Sequence, residues 1–303
     1  MPTAHGEDDV ASLVDSDARQ PGPTALRLLL GAHLRRLREA HGVSRDEAAY
    51  LIRGSQSKIS RMEAGRIGFK QRDVADLLTL YALTDEAERA ALLALADQAN
   101  EPAWWQDHRD VIPDWFEEYL GLEQDAALIR IHEVQYVPGL LQTEDYARAV
   151  IVQGPNAESA AQIERRVAVR MRRQRIFDGP APTRLWAVVD EASLRRRVGN
   201  NAIMRDQLEH LARMAELPHI TIQILPFSAG GPSGGIGPVT LLRFAQVELP
   251  DVVYLEHLAG AQYLTKPSEV GPYLHLMNTL GVQAASPNAT RESLREMIAA
   301  SLP

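Results

Sequence analysis

The run Ser55-Gln56-Ser57-Lys58-Ile59-Ser60-Arg61 gathers side chains suited to recognition rather than bond-making. A glutamine amide and an arginine guanidinium can each make two hydrogen bonds to one base edge, Gln suiting adenine and Arg suiting guanine. Lysine and arginine also reach phosphate oxygens, which fixes register without reading sequence. Other clusters compete for attention. Asp190, Glu191 and Glu256 with His257 could supply acid–base chemistry, but nothing in their spacing dictates a shared site, so structural roles are expected. No catalytic residue is assigned, and the chain is read as a non-enzyme. The glycine-rich run over 230–238 lacks the Gly-Lys-Ser/Thr ending of a nucleotide loop and reads as a loop between strands. No His-x3-His spacing supports a metal site, and no cofactor is expected. The absence of cysteine removes disulfides, thiol catalysis and cysteine-ligated zinc together.

The recognition chemistry needs elements to position it. Leu26, Leu30, Leu34 and Leu37 recur every three or four residues, which predicts an amphipathic helix from Thr24, its expected N-cap, to Ala40. Gly42 stops it. Ser44 and Glu47 have capping-box spacing for a short second helix ending near Ile52. Gly54 allows a tight turn, Ser55 caps a third helix, and Ile59 and Met62 face inward before Gly65 ends it. Val74, Leu77, Leu78 and Tyr81 mark a fourth helix, and 84–100 a fifth. Two helices joined so closely, with small Ala49 where they approach, have the spacing of a helix-turn-helix. In that motif one helix lies across the phosphate backbone and the next enters the major groove.

Charge is distributed to match. The chain carries a net charge of -8, yet residues 24–83 hold eleven Lys or Arg against six Asp or Glu. A phosphate-binding surface depends on local cations and is indifferent to charge several Debye lengths away. Three segments are expected: a disordered acidic tail over 1–22, a helix-turn-helix domain over 23–100, and a larger domain over 101–303. In the last, β-like runs at 128–137, 185–189, 220–225, 239–244 and 252–255 alternate with helices near 114–127, 143–152, 158–177, 201–216, 267–281 and 290–301. That mixture predicts an α/β or α+β fold with the connectivity left open. The helix bearing Arg165, Arg166, Arg170, Arg172, Arg173 and Arg175 is expected to be a solvated face paired with acidic neighbours. Trp104, Trp105, Trp115 and Phe116 read as an aromatic hinge. No run of eighteen apolar residues suggests a membrane span and no leader pattern opens the chain, so a cytoplasmic protein is expected.

Residues 55–66, Ser-Gln-Ser-Lys-Ile-Ser-Arg-Met-Glu-Ala-Gly-Arg, resemble the recognition helix of Cro/cI-type (xenobiotic-response-element) regulators, and the likeness covers about 28–83. It implies an all-α, lambda-repressor-like domain of five helices. By position it implies that Gln56, Ser57, Lys58 and Arg61 read bases, that Arg45, Ser55, Arg66 and Lys70 contact phosphate, and that Glu63 pairs with Arg38. The family places glycine where Arg53 stands, and here glycine comes one residue later. Residues 136–147, 190–196 and 223–226 resemble the uncharacterised domain that follows this motif in many actinomycete regulators described as antitoxin-like. That resemblance implies a small protein partner encoded nearby. The expected function is a dimeric regulator on double-stranded DNA, reading a near-palindromic operator in grooves about 34 Å apart, with the larger domain sensing a partner or a small-molecule effector. The alternative is an antitoxin-like protein whose main task is to bind a small protein, with DNA binding for autoregulation.

Overall fold

The computed structural model describes residues 21–154, 158–229 and 237–300. The expected acidic tail up to residue 20 and the glycine-rich run over 230–236 lie outside the described residues. Two compact units form: one runs through Gln106 and takes in Ala245–Leu249, and the other comprises Asp107–Phe244 and the residues from Pro250 onward. Trp104 and Trp105, edge to face at 5.6 Å, belong to the first unit, whereas Trp115 packs on Phe116 at 5.7 Å in the second.

The first unit is helical: α1 Pro23–Ala40, α2 Arg45–Leu51, α3 Gln56–Glu63, α4 Gln71–Leu80 and α5 Glu86–Gln98. Proline in the first turn starts α1 one residue earlier than expected, because that position has no use for an N–H and suits a fixed φ. The N-cap is therefore Gly22 rather than Thr24, which is buried. Ser44 and Glu47 form the expected capping box, with Ser44 Oγ accepting from the Glu47 N–H at 3.2 Å and Glu47 Oε2 accepting from the Ser44 N–H at 2.8 Å. Leu26, Leu30 and Leu34 of α1 meet Ile59 and Met62 of α3 and Leu77 of α4 in one core. At the α1–α3 crossing only a residue without a side chain fits: a Cβ on Gly31 would stand 2.5 Å from the Met62 carbonyl oxygen.

Among the described residues the second unit has six strands, β1 Leu128–Glu133, β2 Arg184–Asp190, β3 Ile220–Leu225, β4 Val239–Arg243, β5 Val252–His257 and β6 Gly260–Leu264. They lie in the order β3-β2-β1-β4-β5-β6, with β1, β2 and β3 parallel and β4, β5 and β6 antiparallel in turn. Parallel neighbours need helical crossovers. Here these are α7 Glu144–Val152 and α8 Ala160–Arg173 between β1 and β2, and α9 Glu191–Arg195 and α10 Asn201–Met214 between β2 and β3. Before β1 comes α6 Asp114–Asp125; α11 Pro267–Gln283 and α12 Pro287–Ala300 end the described chain. On one sheet face α11 packs Met277 and Leu280 against Val188 of β2. On the other, the ring of Tyr119 of α6 packs at a tilt against Tyr254 of β5, with centroids 4.2 Å apart.

The α11 contact sets a steric limit. A Cβ at Gly281 would lie 2.2 Å from Cζ2 of Trp186, and Trp186 is itself held by the Arg130 guanidinium over its ring at 4.2 Å and by a 2.7 Å bond to Gln223. Gly281→Ala should therefore lower unfolding free energy by about 1–3 kcal/mol through overpacking, measured by urea denaturation. An unchanged midpoint would mean that α11 shifts freely on the sheet.

Candidate nucleic-acid interface

The turn between α2 and α3 is closed by backbone bonds from the Arg53 N–H to the Tyr50 carbonyl at 3.1 Å and from the Gly54 N–H to the Ala49 carbonyl at 2.8 Å. Its left-handed residue is Arg53, with φ of 52°, and not Gly54. The bend thus sits at the position where a glycine is usual, and an arginine adopts it. Left-handed backbone costs a residue bearing Cβ about 1–2 kcal/mol, partly offset on substitution by glycine's larger entropy loss. Arg53→Gly should raise stability by about 0.5–1 kcal/mol on that balance, read as a higher urea midpoint. A lower midpoint would show that the Arg53 side chain itself holds the turn.

Ser55 opens α3 as its N-cap, its hydroxyl accepting from the Lys58 N–H at 3.1 Å. Ile59 and Met62 point inward, while Gln56, Ser57, Ser60 and Arg61 are exposed. Residues three and four apart share one side of a helix, so these four form a continuous polar ridge. Ser60 was not among the expected base readers, although its spacing from Gln56 and Ser57 marks it. Lys58, beside this ridge, is partly buried. Its ammonium is 2.5 Å from the carboxylate of buried Asp73 in the first turn of α4, which draws the side chain back against the unit and makes it a tie between helices.

Glu63 fixes the base of the ridge. It accepts from Arg38 of α1 at 2.5 and 3.2 Å, and both residues are buried. Arg38 also donates to the Val43 carbonyl at 3.0 Å, and its hydrogen bond to Glu63 pushes the guanidinium above its ordinary value. Arg45, expected on phosphate, donates to Glu63 Oε2 at 3.2 Å and is half-buried. One carboxylate thereby links α1, α2 and α3. Arg66 and Lys70, which follow α3, are exposed.

Residues 29–92 match the helix-turn-helix domain, from within α1 to within α5. Residues 116–296 match the domain of unknown function DUF5753, which covers more than half of the chain. The chain belongs to that family. In this DUF5753 protein the matched region spans all six strands, and a helix-turn-helix domain precedes it. No curated protein and no solved structure matches the chain. Among the described residues no helix is long and apolar enough to cross a membrane, and no group of three His, Cys, Asp or Glu is placed to hold a metal ion.

Proposed function

We propose that this protein is a sequence-specific, DNA-binding transcriptional regulator of the Cro/cI type, acting in the cytoplasm as a dimer and without catalysis. The observation that carries the reading is the exposed ridge Gln56, Ser57, Ser60 and Arg61 on a helix whose opposite side is anchored by Glu63. Groups so held meet a major groove with little ordering cost, and the glutamine and arginine can each satisfy two sites on a base edge. Ser55, Arg66 and Lys70 contact flanking phosphates, and Arg45 does so from its place beside Glu63. One small helical unit makes few contacts, so tight binding requires two copies on a near-palindromic site. The DUF5753 unit senses a partner or a ligand and alters the affinity of the pair for DNA.

Selection of bound fragments from genomic DNA, followed by footprinting, tests this. Two protected half-sites centred about 10–10.5 base pairs apart, or a multiple of that spacing, are expected. Protection without a recurring sequence would remove the regulator reading. A stoichiometric small protein recovered with the chain, together with very few genomic sites, would favour an antitoxin-like binding role instead.

A further inference from the structure

The first unit holds more positive charge than its own carboxylates match. Arg35, Arg38, Arg45, Lys58 and Arg72 each pair with an acidic residue of that unit. Arg61, Arg66 and Lys70 are exposed, and among the described residues none of the three forms an ion pair. The backbone gathers them. Gly65 takes a left-handed φ of 66° after α3, and the Arg66 N–H then donates to the Arg61 carbonyl at 2.9 Å. Lys70 follows as the N-cap of α4.

The same turn lies against the start of α1. A Cβ on Gly65 would stand 2.9 Å from Cα of Leu28, so Arg66 leaves the turn beside the second turn of α1. From Leu28 back to Gly22, the N-cap of α1, is about 9 Å along a helix axis. The chain that enters there is acidic: residues 1–20 hold Glu7, Asp8, Asp9, Asp15 and Asp17 against one arginine, Arg19. At no more than about 3.6 Å per residue, Asp17 can lie up to about 18 Å from Gly22 and Glu7 up to about 54 Å. An eight-residue helix such as α3 is only about 12 Å long, so the segment has ample length to reach all three cations. A segment tethered so near a surface meets it at an effective concentration on the order of millimolar.

We infer that residues 1–20 of this chain occupy the cationic surface of Arg61, Arg66 and Lys70 when DNA is absent, and that duplex DNA must displace them to bind. The inference rests on the DNA-binding reading and adds its regulation. Carboxylates and phosphates offer a guanidinium or an ammonium the same charged oxygen partner, so they compete for the same three side chains. Each carboxylate contact is exposed and weak, and salt screens the set as it screens phosphate contacts. The inhibition is therefore partial. A surface covered about two-thirds of the time is about one-third competent, which weakens the apparent affinity for any duplex about threefold.

The sequence has three lysines, Lys58, Lys70 and Lys266, so zero-length carbodiimide coupling of carboxylates to amines tests the contact directly on the full-length protein without DNA. Lys58 and Asp73, 2.5 Å apart, are the internal reference. Mass spectrometry of the digest should find Lys70 joined to a carboxylate of residues 1–20 well above the level at Lys266. The yield should be independent of dilution and fall with added salt or duplex DNA. A full-length variant with Glu7→Gln, Asp8→Asn, Asp9→Asn, Asp15→Asn and Asp17→Asn should bind a duplex of scrambled sequence about threefold more tightly at low salt, and the gap should close at high salt. Lys70 uncoupled while Lys58 joins Asp73, equal coupling at Lys266, or a yield that falls on dilution overturns the inference, as does an amide variant that binds DNA no more tightly than the parent. Tighter DNA binding by that variant with Lys70 uncoupled in the parent is plain repulsion between the segment and DNA, and overturns it too. Coupling at Lys70 in a protein that binds no duplex keeps the contact and removes the DNA-binding reading instead.

Discussion

Glu63→Ala should cost the helix-turn-helix unit about 3–5 kcal/mol, the range for removing one partner of a buried pair, and abolish DNA binding with it. The substitution strips the carboxylate from Arg38, whose side chain is only 8% exposed, and from Arg45. Arg38 keeps its bond to the Val43 carbonyl, which does not neutralise its charge. Replacing both buried partners by methionine should recover most of the loss, since well-packed apolar residues of similar volume often match a buried ion pair. Urea denaturation followed by circular dichroism measures both variants. A Glu63→Ala protein within about 1 kcal/mol of the parent, the scale of an exposed pair, would show that the carboxylate is not what holds α1, α2 and α3 together.

The double variant Gln56→Ala/Arg61→Ala should fold normally, because both side chains are exposed, and lose discrimination between operator and scrambled DNA by on the order of 10²- to 10⁴-fold. That range follows from about 1–3 kcal/mol for each two-bond contact to a base edge. Weak binding that falls steeply with salt should remain, carried by phosphate contacts from Arg66 and Lys70. Gel-shift titrations at two salt concentrations separate the terms. Unchanged preference for the operator would place the reading surface elsewhere on the protein.

The two halves of the chain differed in how much their sequence revealed, for a physical reason. In 23–100 the signals are local: Ser44 and Glu47 satisfy each other's neighbours within one turn, Ser55 caps its own helix, and leucine periodicity marks the buried stripe. The Arg38–Glu63 pair spans 25 positions but follows from the motif by resemblance, and the structure places it as expected. The ion pair of Lys58 could not be read from the sequence, because the choice between solvent and Asp73 depends on how α4 packs, which no local pattern encodes. In the second unit, the strands at 184–190 and 220–225 stand out as apolar runs, whereas β6, Gly-Ala-Gln-Tyr-Leu, is a short, half-exposed edge strand with too few apolar residues to mark it. Short α9 was missed because five residues carry too little periodicity to register; Asp190 caps it and Glu191 in its first turn pairs with Arg195. Arg173 departs from the solvated face expected of α8, although like Arg165 and Arg166 it pairs with an acidic neighbour. It is buried against Glu123 and over the rings of Phe116 and Tyr119, contacts that exist only once α6 and α8 meet.

The position of β1 at the middle of the sheet has a temporal consequence. Leu128 lies opposite Arg184 on one side and Arg243 on the other, so its second neighbour leaves the ribosome more than a hundred residues after it. Pairings separated so widely form slowly, since a long loop must close before any contact rewards it, whereas the helices of the first unit meet partners close in the chain. During synthesis the helices α1 to α5 can thus pack on one another while the sheet still awaits its later strands.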